Sequence, residues 1–500
     1  MIPFMAHLPH HLYTGAQVRE LDRFAIDSFG LSATVLMERA GAAAFAYLTH
    51  RWPKARSIAV VCGTGNNGGD GYVIARLAHE KGLMVKVYQV GDESHISGDA
   101  LAALQRLQGA GLTLQTLANQ DFSRMDVIID ALLGTGLKGE VSDNYRQAIE
   151  AINQSGRGVL SLDIPSGLHA DTGVALGCAV KAEGTVTFIG MKQGLLTGQG
   201  SEYCGELVFA NLNVPTEVYD MRPPSAERID YLRVKHLLTP RPRYLHKGDC
   251  GHVLIVGGER GFTGAVRMAG EAAARVGAGL VSIATRPEHA MVLNASRPEL
   301  MCHGITAENE FHQLAERATV IAIGPGLGQS DWSKKMLSYA LDSGLPLVMD
   351  ADALNLLSHD MQKRDDWVLT PHPGEAGRML GKAVSEVEAD RFAAVAELVN
   401  NFRGVVVLKG AGTLIKHNDQ PVQLCSGGNP GMACGGMGDV LTGIITGLIA
   451  QGLTLSAATT LGVALHAEAG DQAARAAGER GLLASDLMPW VRRLANPSTT

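Results

Sequence analysis

Short apolar runs, each ended by glycine or proline and followed by a helical segment, recur along this chain and constrain its fold more than any other feature. In the first half these runs are SIAVVCG, MVKVYQVG, MDVIIDALLG and GVLSLDIPSG. Between the first two, DGYVIARLAHEKG has helical spacing and is stopped by Gly82. Apolar strands that alternate with helices predict a parallel sheet with right-handed crossovers.

A second series of the same kind begins after MRPPSAER, residues 221–228, a segment rich in proline and charge. HVLIVGG is a strand and AGEAAARVGAG a helix, and further strands or strand ends follow in LVSIAT, VIAIGPG, PLVMDADAL, DWVLTPHPGE and GVVVLKG. At about 150 residues per domain, a chain of 500 residues is expected to form two or three domains. We therefore predict an α/β protein with two domains, residues 1–222 and 228–500.

Charge and cysteine usage exclude several classes of protein. Lys and Arg number 43 and Asp and Glu 50, a formal net charge of −7, which argues against a broad nucleic-acid-binding surface. Seven cysteines without a C-x-x-C pair argue against a disulfide framework or a structural zinc site and indicate a reducing cytoplasm. The first residues, MIPFMAHLPHHLY, lack the basic and apolar regions of a signal peptide.

Residues 440–465 carry no Asp, Glu, Lys or Arg, which is long enough to consider a membrane span. Thr, Gly, Gln and Ser interrupt this run, for example in GLIAQGLTLS. We therefore predict two buried helices here and no interaction with a membrane.

A glycine-rich loop, GTGNNGGDG at residues 63–71, follows a strand and opens a helix. Such a loop brings backbone N–H groups close to an anion at the helix N-terminus. Asn66, Asn67 and Asp70 add two amides and a carboxylate, which can bind sugar hydroxyls, phosphate and a hard cation at once.

Two other interpretations of this loop remain open from the residues alone. Gly63, Gly65 and Gly68 match the G-x-G-x-x-G of ordinary dinucleotide-binding domains, with Asp92 or Glu93 available for the ribose. The glycines also fit a tight turn without a ligand.

Two later strands of the first half also end in polar residues. Asp130 ends VIID, and the loop after it supplies Lys138, whereas Asp163 ends LSLD and is followed by Ser166. Because ligands bind beyond the carboxyl ends of the strands in an open parallel sheet, three segments are expected to converge there: residues 66–70, 130–140 and 163–166.

NNGGDG, DALLGTGLKG and DIPSGL together resemble the NAD(P)H-hydrate epimerase family, over roughly residues 10–220. The resemblance implies a Rossmann-like three-layer α/β/α domain, and a potassium ion held by Asn67, Asp130 and Ser166, whose oxygen ligands suit a hard cation. It also implies that the hydrated dinucleotide is contacted by Asn66, Asn67, Gly68, Gly69, Asp70, Gly134, Thr135, Gly136, Leu137, Lys138, Gly139, Glu140 and Asp163.

The chemistry of such a family fits these residues. NAD(P)HX is a reduced nicotinamide with water added at C6, and interconversion of its R and S forms requires the C6 hydroxyl to leave and to return on the other face. A nearby carboxylate and a cation can exchange protons with that hydroxyl. We assign Asp163 as the general acid and base and Lys138 as its electrostatic partner.

GGMGDVLTGI, residues 435–444, joins a glycine-rich turn and an Asp to a long apolar helix. The backbone N–H groups at such a helix end stabilise a transferring phosphoryl group, and Asp439 can deprotonate the attacking hydroxyl. The alternative is that Asp439 only caps the helix. No G-x-x-x-x-G-K-[ST] occurs, which excludes P-loop chemistry.

This element resembles the G-[ST/A]-G-D pattern of the ribokinase-like superfamily, with Met437 at the variable position. KGAGT (409–413), TPHPGE (370–375), MDADALN (349–355) and GHVLIVGGERGFTGA (251–265) narrow the resemblance to the ADP/ATP-dependent NAD(P)H-hydrate dehydratases, over roughly residues 230–495. A ribokinase-like α/β domain is therefore implied.

The dehydratase resemblance implies that Asp439 activates the C6 hydroxyl of the S-hydrate, that ADP phosphorylates it, and that the phosphate leaves with restoration of NAD(P)H. The implied contacts with the hydrate are Ala265, Gly326, His372 and Asp439, and those with the nucleotide are Lys409, Gly410, Ala411, Gly412, Thr413 and Gly438. Mg²⁺ is expected for phosphoryl transfer. The role of His246, in HKGDCG, stays open.

The interpretation we favour is a bifunctional cytoplasmic enzyme, expected to form a homo-oligomer, in which one half interconverts the epimers of a damaged cofactor and the other repairs one of them. One alternative is a kinase for a vitamin alcohol, of the hydroxymethylpyrimidine or thiazole type, fused to a regulatory dinucleotide-binding domain. The other is a non-catalytic N-terminal half, against which the presence of Asp130, Asp163 and Lys138 argues.

Overall fold

The computed structural model describes residues 8–117, 122–418 and 420–496, and it divides the chain into two compact units, Met1–Glu227 and Arg228–Thr500. The residues at 1–7, which enter the argument against a signal peptide, lie outside the described part. Each unit contains a largely parallel sheet with helices, so the predicted α/β class is confirmed.

The strands of the first unit are β1 (His11–Tyr13), β2 (Ser57–Cys62), β3 (Met84–Gln89), β4 (Leu114–Thr116), β5 (Val127–Ala131), β6 (Gly158–Leu162), β7 (Gly184–Phe188), β8 (Met191–Lys192), β9 (Glu206–Ala210) and β10 (Ala226–Ile229), the last of which continues into the second unit. Its helices are α1 (Gly15–Asp27), α2 (Ala33–Arg51), α3 (Asn66–Glu80), α4 (Gly98–Gly109), α5 (Asp143–Gln154), α6 (Gly200–Cys204) and α7 (Glu217–Asp220).

Seven parallel strands of the first unit form one sheet in the order β4-β3-β2-β5-β6-β7-β9. Alternate residues of β2 enter different cores: Ile58 packs with residues of α1 to α4, whereas Ala59 packs with Ile149 of α5. A sheet between two helical layers is the predicted three-layer arrangement. The chain order reverses beside β2, which has β3 on one side and β5 on the other, and such a switch point opens a crevice for ligands.

Short strands outside this sheet were not predicted from the sequence. β1 pairs with β8 in parallel and with β10 in antiparallel fashion, where Leu12 lies opposite Ala226 and His11 opposite Glu227. These strands contain two to four residues each, too few for an apolar alternation to be recognised in the sequence.

The strands of the second unit are β11 (His252–Val256), β12 (Leu280–Thr285), β13 (Met301–Gly304), β14 (Val320–Ile323), β15 (Leu347–Met349), β16 (Trp367–Leu369), β17 (Val405–Leu408), β18 (Thr413–His417) and β19 (Val422–Cys425). Its helices are α8 (Tyr231–Val234), α9 (Thr263–Val276), α10 (Pro287–Ser296), α11 (Glu308–Ala315), α12 (Asp331–Asp342), α13 (Asp352–Leu357), α14 (Pro373–Leu380), α15 (Val384–Ala389), α16 (Arg391–Phe402), α17 (Met437–Ala450), α18 (Leu455–Ala477) and α19 (Met488–Leu494).

Within the second unit the strand order is β13-β12-β11-β14-β15-β16-β17-β18-β19. The pairs from β13 to β17 are parallel, and β18 and β19 extend the sheet as an antiparallel hairpin. Helices α17 and α9 cross closely: a Cβ atom added to Gly443 would lie 2.0 Å from the backbone oxygen of Ala269. Glycine at this position is therefore required for the helices to pack as they do.

The uncharged run at residues 440–465 forms parts of α17 and α18, separated by a turn, as the sequence predicts. Val440, Leu441, Ile444 and Leu448 of α17 are buried in the core of the second unit. In the described part of the chain, no helix combines the length and the apolar character needed to span a bilayer.

Candidate functional sites

A cavity of about 620 Å³ in the first unit brings together the three segments predicted to converge. Its lining includes the glycine-rich loop after β2, the loop after β5 and the residue after β6. The predicted residues that line it are Asn66, Asn67, Asp70, Gly134, Thr135, Gly136, Leu137, Lys138 and Asp163. The cavity therefore lies at the carboxyl ends of the strands, beside the switch point.

Other residues predicted to bind the hydrate do not line this cavity. Gly68 and Gly69 are buried, and a Cβ atom added to Gly68 would lie 2.0 Å from the backbone oxygen of Gly63, so Gly68 allows the turn to close. Gly139 and Glu140 lie outside the lining, and the Glu140 side chain is exposed, 4.0 Å from Arg146.

The ordinary dinucleotide-binding alternative finds no support in the position of Asp92 and Glu93. Both are exposed and neither lines the cavity. Asp92 instead caps a short turn, since its carboxylate accepts a hydrogen bond of 2.9 Å from the backbone N–H of Ser94.

A cluster of oxygen atoms lies beneath the cavity around Asp130, which is fully buried. Its carboxylate accepts hydrogen bonds from the Ser161 hydroxyl (2.7 Å), the Ser166 hydroxyl (2.5 Å) and the Ser166 backbone N–H (2.9 Å). The Asn67 amide donates to the backbone oxygen of Leu133 at 3.2 Å, but its own oxygen, Oδ1, is buried without a hydrogen-bond partner in the described structure. A buried acceptor without a donor is costly and is expected to have a ligand.

Asp163 has a backbone φ of +64°, an uncommon conformation for a residue with a side chain. Its Oδ1 atom forms an ion pair with Nζ of Lys192, whose side chain is fully buried, and accepts a hydrogen bond of 3.2 Å from the backbone N–H of Phe188. Strained residues concentrate at functional sites, and here a buried ion pair fixes the strained residue at the cavity.

Two more aspartates, Asp22 on α1 and Asp70 on α3, line the same cavity. Burial, assisted by the charge of Asp163, raises the pKa of Asp22 to about 6, although Lys192 acts in the opposite direction. Burial also raises the pKa of Asp70 well above its usual range, with Asp163 and Asp22 adding to the effect. The cavity thus holds carboxyl groups with different tendencies to ionise.

The second unit places Asp439 in the first turn of α17, after Gly436 in a left-handed conformation (φ +94°). Burial raises the pKa of Asp439 to about 7, with Asp350 raising it further and Lys409 lowering it. A carboxylate that titrates near neutrality at a helix N-terminus is suited to take a proton.

Asp350, directly after β15, connects several elements of this site and is almost completely buried. Oδ1 pairs with Nζ of Lys409 at 2.6 Å and accepts a hydrogen bond from Thr370 at 2.9 Å. Oδ2 accepts a hydrogen bond from Thr442 of α17 at 3.0 Å. Although burial alone would act in the opposite direction, Lys409 and these donors hold the pKa of Asp350 below its usual range.

The predicted nucleotide-binding loop, 409–413, is supported from behind by Arg391 of α16. The buried guanidinium donates to the backbone oxygens of Leu408 (3.3 Å) and Lys409 (3.1 Å). Gly410 and Gly412 have positive φ angles of +132° and +67°, which turn the chain sharply between β17 and β18.

His372 precedes α14, whose first residue is Pro373, and has an extended backbone conformation. Its Nδ1 atom accepts hydrogen bonds from the backbone N–H groups of Gly374 (2.9 Å) and Glu375 (3.4 Å), and Nε2 lies 3.3 Å from Glu375. Burial, followed by the charges of Lys409 and Arg378, lowers the pKa of His372. The imidazole is therefore expected to be neutral, with its proton on Nε2.

Ala265 and Gly326 lie next to each other: a Cβ atom on Gly326 would be 3.2 Å from that of Ala265. Glu259 shapes this region, since its backbone N–H donates to the backbone oxygen of Gly326 and its carboxylate pairs with Arg286 at 2.7 Å. His246, whose role was open, is exposed and caps a short turn by accepting a hydrogen bond of 3.2 Å from Gly248.

Sequence reasoning did not identify Asp22, Lys192, Asp350 or Arg391. Asp350 follows β15 directly, as Asp163 follows β6, and Asp130 is the last residue but one of β5, so the same rule would have found Asp350. Lys192 stands in the run FIGMKQGLL, where a single lysine among uncharged residues was the available signal. No local sequence pattern marks Asp22 or Arg391, because the role of each depends on contacts with other secondary-structure elements.

Comparisons with known proteins agree with this geometry. Residues 33–194 match the family model of the YjeF-related protein N-terminus, and residues 253–493 match that of NAD(P)H-hydrate dehydratase. The bifunctional NAD(P)H-hydrate repair enzyme of Coxiella burnetii is 51% identical over 486 residues, which cover 97% of this chain and 99% of that protein. The chain belongs to the family of bifunctional NAD(P)H-hydrate repair enzymes.

A second sequence relative supports this family assignment, and a solved structure supports the fold of the second unit. The bifunctional NAD(P)H-hydrate repair enzyme of Escherichia coli is 42% identical, over 99% of this chain and 95% of its own length. A crystal structure of a ribokinase-like superfamily protein from Enterococcus faecalis is 29% identical, with a TM-score of 0.51, and the match covers 54% of this chain and 95% of that one. This likeness agrees with the ribokinase-like fold predicted for the second unit.

Proposed function

We propose that this repair enzyme divides its work between two sites, one in each unit. It interconverts the R and S forms of NAD(P)HX, and it dehydrates the S form to NAD(P)H with ADP as phosphoryl donor, which yields AMP and phosphate. The observation that carries this assignment is that each unit matches one of the two families and holds its own site built around an aspartate, Asp163 in the first and Asp439 in the second.

In this proposal the epimerase domain comprises residues 1–222 and the dehydratase domain residues 228–500. The hydrated dinucleotide occupies the cavity of the first unit, against the glycine-rich loop after β2 and the loop that carries Lys138. Asp163 exchanges protons with the C6 hydroxyl, and Lys138 supplies positive charge from a loop of the same cavity lining.

The oxygen cluster beneath this cavity fits a potassium ion. Asn67 Oδ1, a buried acceptor without a donor, together with the Asp130 carboxylate and the Ser166 hydroxyl, would hold it. These are the hard oxygen ligands that such a cation prefers. When bound, the ion would supply positive charge close to Asn67, which also lines the cavity.

In the second unit, Asp439 takes the proton of the C6 hydroxyl while the terminal phosphoryl group of ADP is transferred to the oxygen. The loop 409–413 and the backbone N–H groups at the start of α17, including that of Gly438, are suited to bind the phosphates. Ala265, Gly326 and His372 contact the hydrate in this assignment. Mg²⁺ would neutralise charge on the phosphates when bound.

Phosphorylation makes the C6 oxygen a good leaving group, so phosphate departs and the double bond of the dihydronicotinamide ring is restored. The neutral state expected for His372 avoids placing another cation beside Lys409. The Asp350–Lys409 pair holds Lys409 at the base of the nucleotide loop.

The decisive experiment supplies a racemic NADHX mixture and excess ADP to the full-length protein and follows the recovery of NADH absorbance. The wild type should consume both epimers. Asp163→Ala should stall once the S form is exhausted, apart from slow spontaneous epimerisation, whereas Asp439→Asn should recover no NADH yet still interconvert the epimers. Equal loss of both activities in either variant would contradict the proposal. So would a stable phosphorylated product formed when a vitamin alcohol of the hydroxymethylpyrimidine or thiazole type is supplied in place of NADHX.

We also propose that the protein acts in the cytoplasm as a homo-oligomer and binds neither nucleic acid nor membranes. Light scattering of the purified protein tests the oligomer: a molar mass of one chain across the working concentration range would exclude it.

A further inference from the structure

We propose that Asp22 is a second proton-carrying residue of the epimerase site and acts as a pair with Asp163, whereas Lys192 is a positioning residue that holds Asp163 in place. This inference rests on the proposed function of the first unit. It assigns roles to two residues, on α1 and β8, that none of the recognised motifs contains.

The contacts of Lys192 give it one function, to hold Asp163. Its side chain is fully buried, and Nζ donates to the Thr187 hydroxyl (3.0 Å), to the backbone oxygen of Phe188 (3.1 Å) and to Oδ1 of Asp163. Every hydrogen bond to the Asp163 carboxylate within the described residues reaches Oδ1, including that from the backbone N–H of Phe188. Oδ2 is therefore the oxygen left for a substrate.

Asp22 lines the same cavity as Asp163 and approaches it from a different element, helix α1. Across the described ranges, no hydrogen bond or ion pair engages its carboxyl, in contrast to Asp163 and Asp130. A carboxyl that is largely enclosed, faces a cavity and has no structural partner is available for chemistry.

The charged groups around Asp22 differ from those around Asp163. The groups that face Asp22 are Arg19 on its own helix, Lys192 and Asp163 across the cavity, and Asp70 on α3. The phenol of Tyr219 on α7 also interacts electrostatically with Asp22. The buried Lys192 ammonium contacts Asp163 directly, whereas within the described residues no hydrogen bond or ion pair reaches the Asp22 carboxyl. Burial raises the pKa of Asp22 to about 6, which makes its protonated form accessible near neutrality. Two carboxyl groups in such different surroundings can act as acid and base.

Net transfer of one proton from Asp22 to Asp163 accompanies each interconversion of the epimers. The Asp22 carboxyl gives its proton to the C6 hydroxyl of one epimer, and the C6–O bond breaks as water leaves and the ring nitrogen forms a double bond to C6. A water molecule then adds to the opposite face of C6, and its surplus proton passes to Oδ2 of Asp163. One proton has moved from Asp22 to Asp163, and exchange with solvent restores the starting state.

The test measures R-to-S epimerisation of NADHX in the full-length protein, with dehydration of pure S-NADHX in the same preparation as a control for folding. Asp22→Asn should lower the epimerisation rate by about 10²- to 10⁴-fold, the usual contribution of general acid–base catalysis, and leave dehydration unchanged. The matched control is Asp27→Asn, on the same helix but exposed and outside the cavity lining. Equal epimerisation rates in the two variants would overturn the proposal.

The pH profile distinguishes the proton role from a structural one. In the wild type, epimerisation should decline as pH rises through the pKa of Asp22, about 6, because the protonated acid is lost. A wild-type profile without this decline would overturn the role of Asp22, even if Asp22→Asn should fail to fold.

Lys192→Met should lower the epimerisation rate and leave dehydration unchanged, since Oδ1 of Asp163 loses the contact that holds it, and Lys192→Arg should restore the rate in part. A rate in Lys192→Arg no higher than that in Lys192→Met would overturn the positioning role. If Asp163→Ala also epimerises normally, the proposed function of this site fails. If Asp163→Ala is inactive while Asp22→Asn is normal, only the present inference fails.

Discussion

At the scale of single residues, the second site depends on Asp350, which joins Lys409, Thr370 and Thr442 through one buried carboxylate. Removing one partner of a buried ion pair leaves the other charge uncompensated, whereas a pair exposed to water contributes little. The buried pair therefore matters for the fold as well as for the position of Lys409.

We predict that Asp350→Asn destabilises the protein by up to about 3–5 kcal/mol, because the largely buried Lys409 ammonium loses its nearer counter-ion and keeps the more distant Glu375, at 3.8 Å. Asp366→Asn is the matched control, since Asp366 pairs with Arg364 at 2.8 Å but its side chain is 47% exposed, and it should cost less than ~1 kcal/mol. The measurement is chemical unfolding monitored by circular dichroism. Similar midpoints for the two variants would contradict the prediction.

Asp439 gives a prediction about pH. Burial raises its pKa to about 7, and only the ionised carboxylate can accept the hydroxyl proton, so activity should be lost as pH falls below that value. We expect kcat/KM for dehydration of S-NADHX to increase with the ionised fraction of this group and to level off above pH about 7. Initial-rate assays in buffers of constant ionic strength measure this pH dependence of kcat/KM. A profile that is flat through neutrality would exclude Asp439 as the base.

The sequence predicts those site residues that follow an apolar run or a glycine turn, such as Asp130, Asp163 and Asp439. Local pattern is sufficient there because the end of a strand, or the start of a helix, places the side chain. Lys192 and Asp22 could not be predicted in this way. Their role arises only when α1, about 140 residues before Asp163, and β8, which lies after it, meet around Asp163 in the folded chain.

At the scale of secondary-structure elements, the close crossing of α9 and α17 dominates the second unit. Gly443 approaches the backbone of Ala269, and Gly447 lies where a Cβ atom would be 2.6 Å from Val276. The sequence predicts the helix from its apolar run, but the need for glycine on one face becomes visible only in the packed structure.

Gly443→Ala should destabilise the protein by about 1–3 kcal/mol, since the added methyl group would lie 2.0 Å from the backbone oxygen of Ala269 and force the helices apart. Gly264→Ala, in the first turn of α9 with open space around it, is the control; it should be neutral or stabilising by up to ~1 kcal/mol. Thermal unfolding of both variants measures the difference, and an unchanged midpoint in Gly443→Ala would show that the helices can adjust.

At the scale of the whole molecule, the chain divides between Glu227 and Arg228, inside strand β10. The proline-rich segment near residues 221–228 marks this region in the sequence. Composition alone could not show that Ala226 and Glu227 pair with β1, since a four-residue strand leaves no periodic signal.

We predict that fragments 1–222 and 228–500 each fold alone, because each unit has its own hydrophobic core. A fragment ending at residue 227 should be more stable than one ending at 222, since it keeps the pairs of Ala226 and Glu227 with β1. Dispersed amide resonances in nuclear magnetic resonance spectra check folding, and denaturant titrations compare the two N-terminal fragments. If neither fragment is soluble, the division of the chain is wrong.

The contact between Gly443 and Ala269 lies one turn after Asp439 in α17. Because α17 cannot rotate or slide at this contact without a clash, the direction in which Asp439 leaves the helix is set before any ligand arrives. Binding of nucleotide and hydrate then has no conformational entropy to remove from the backbone of this residue. Tightening the core around α17 should leave the turnover of the second site unaffected, whereas loosening it should slow turnover well before the protein unfolds.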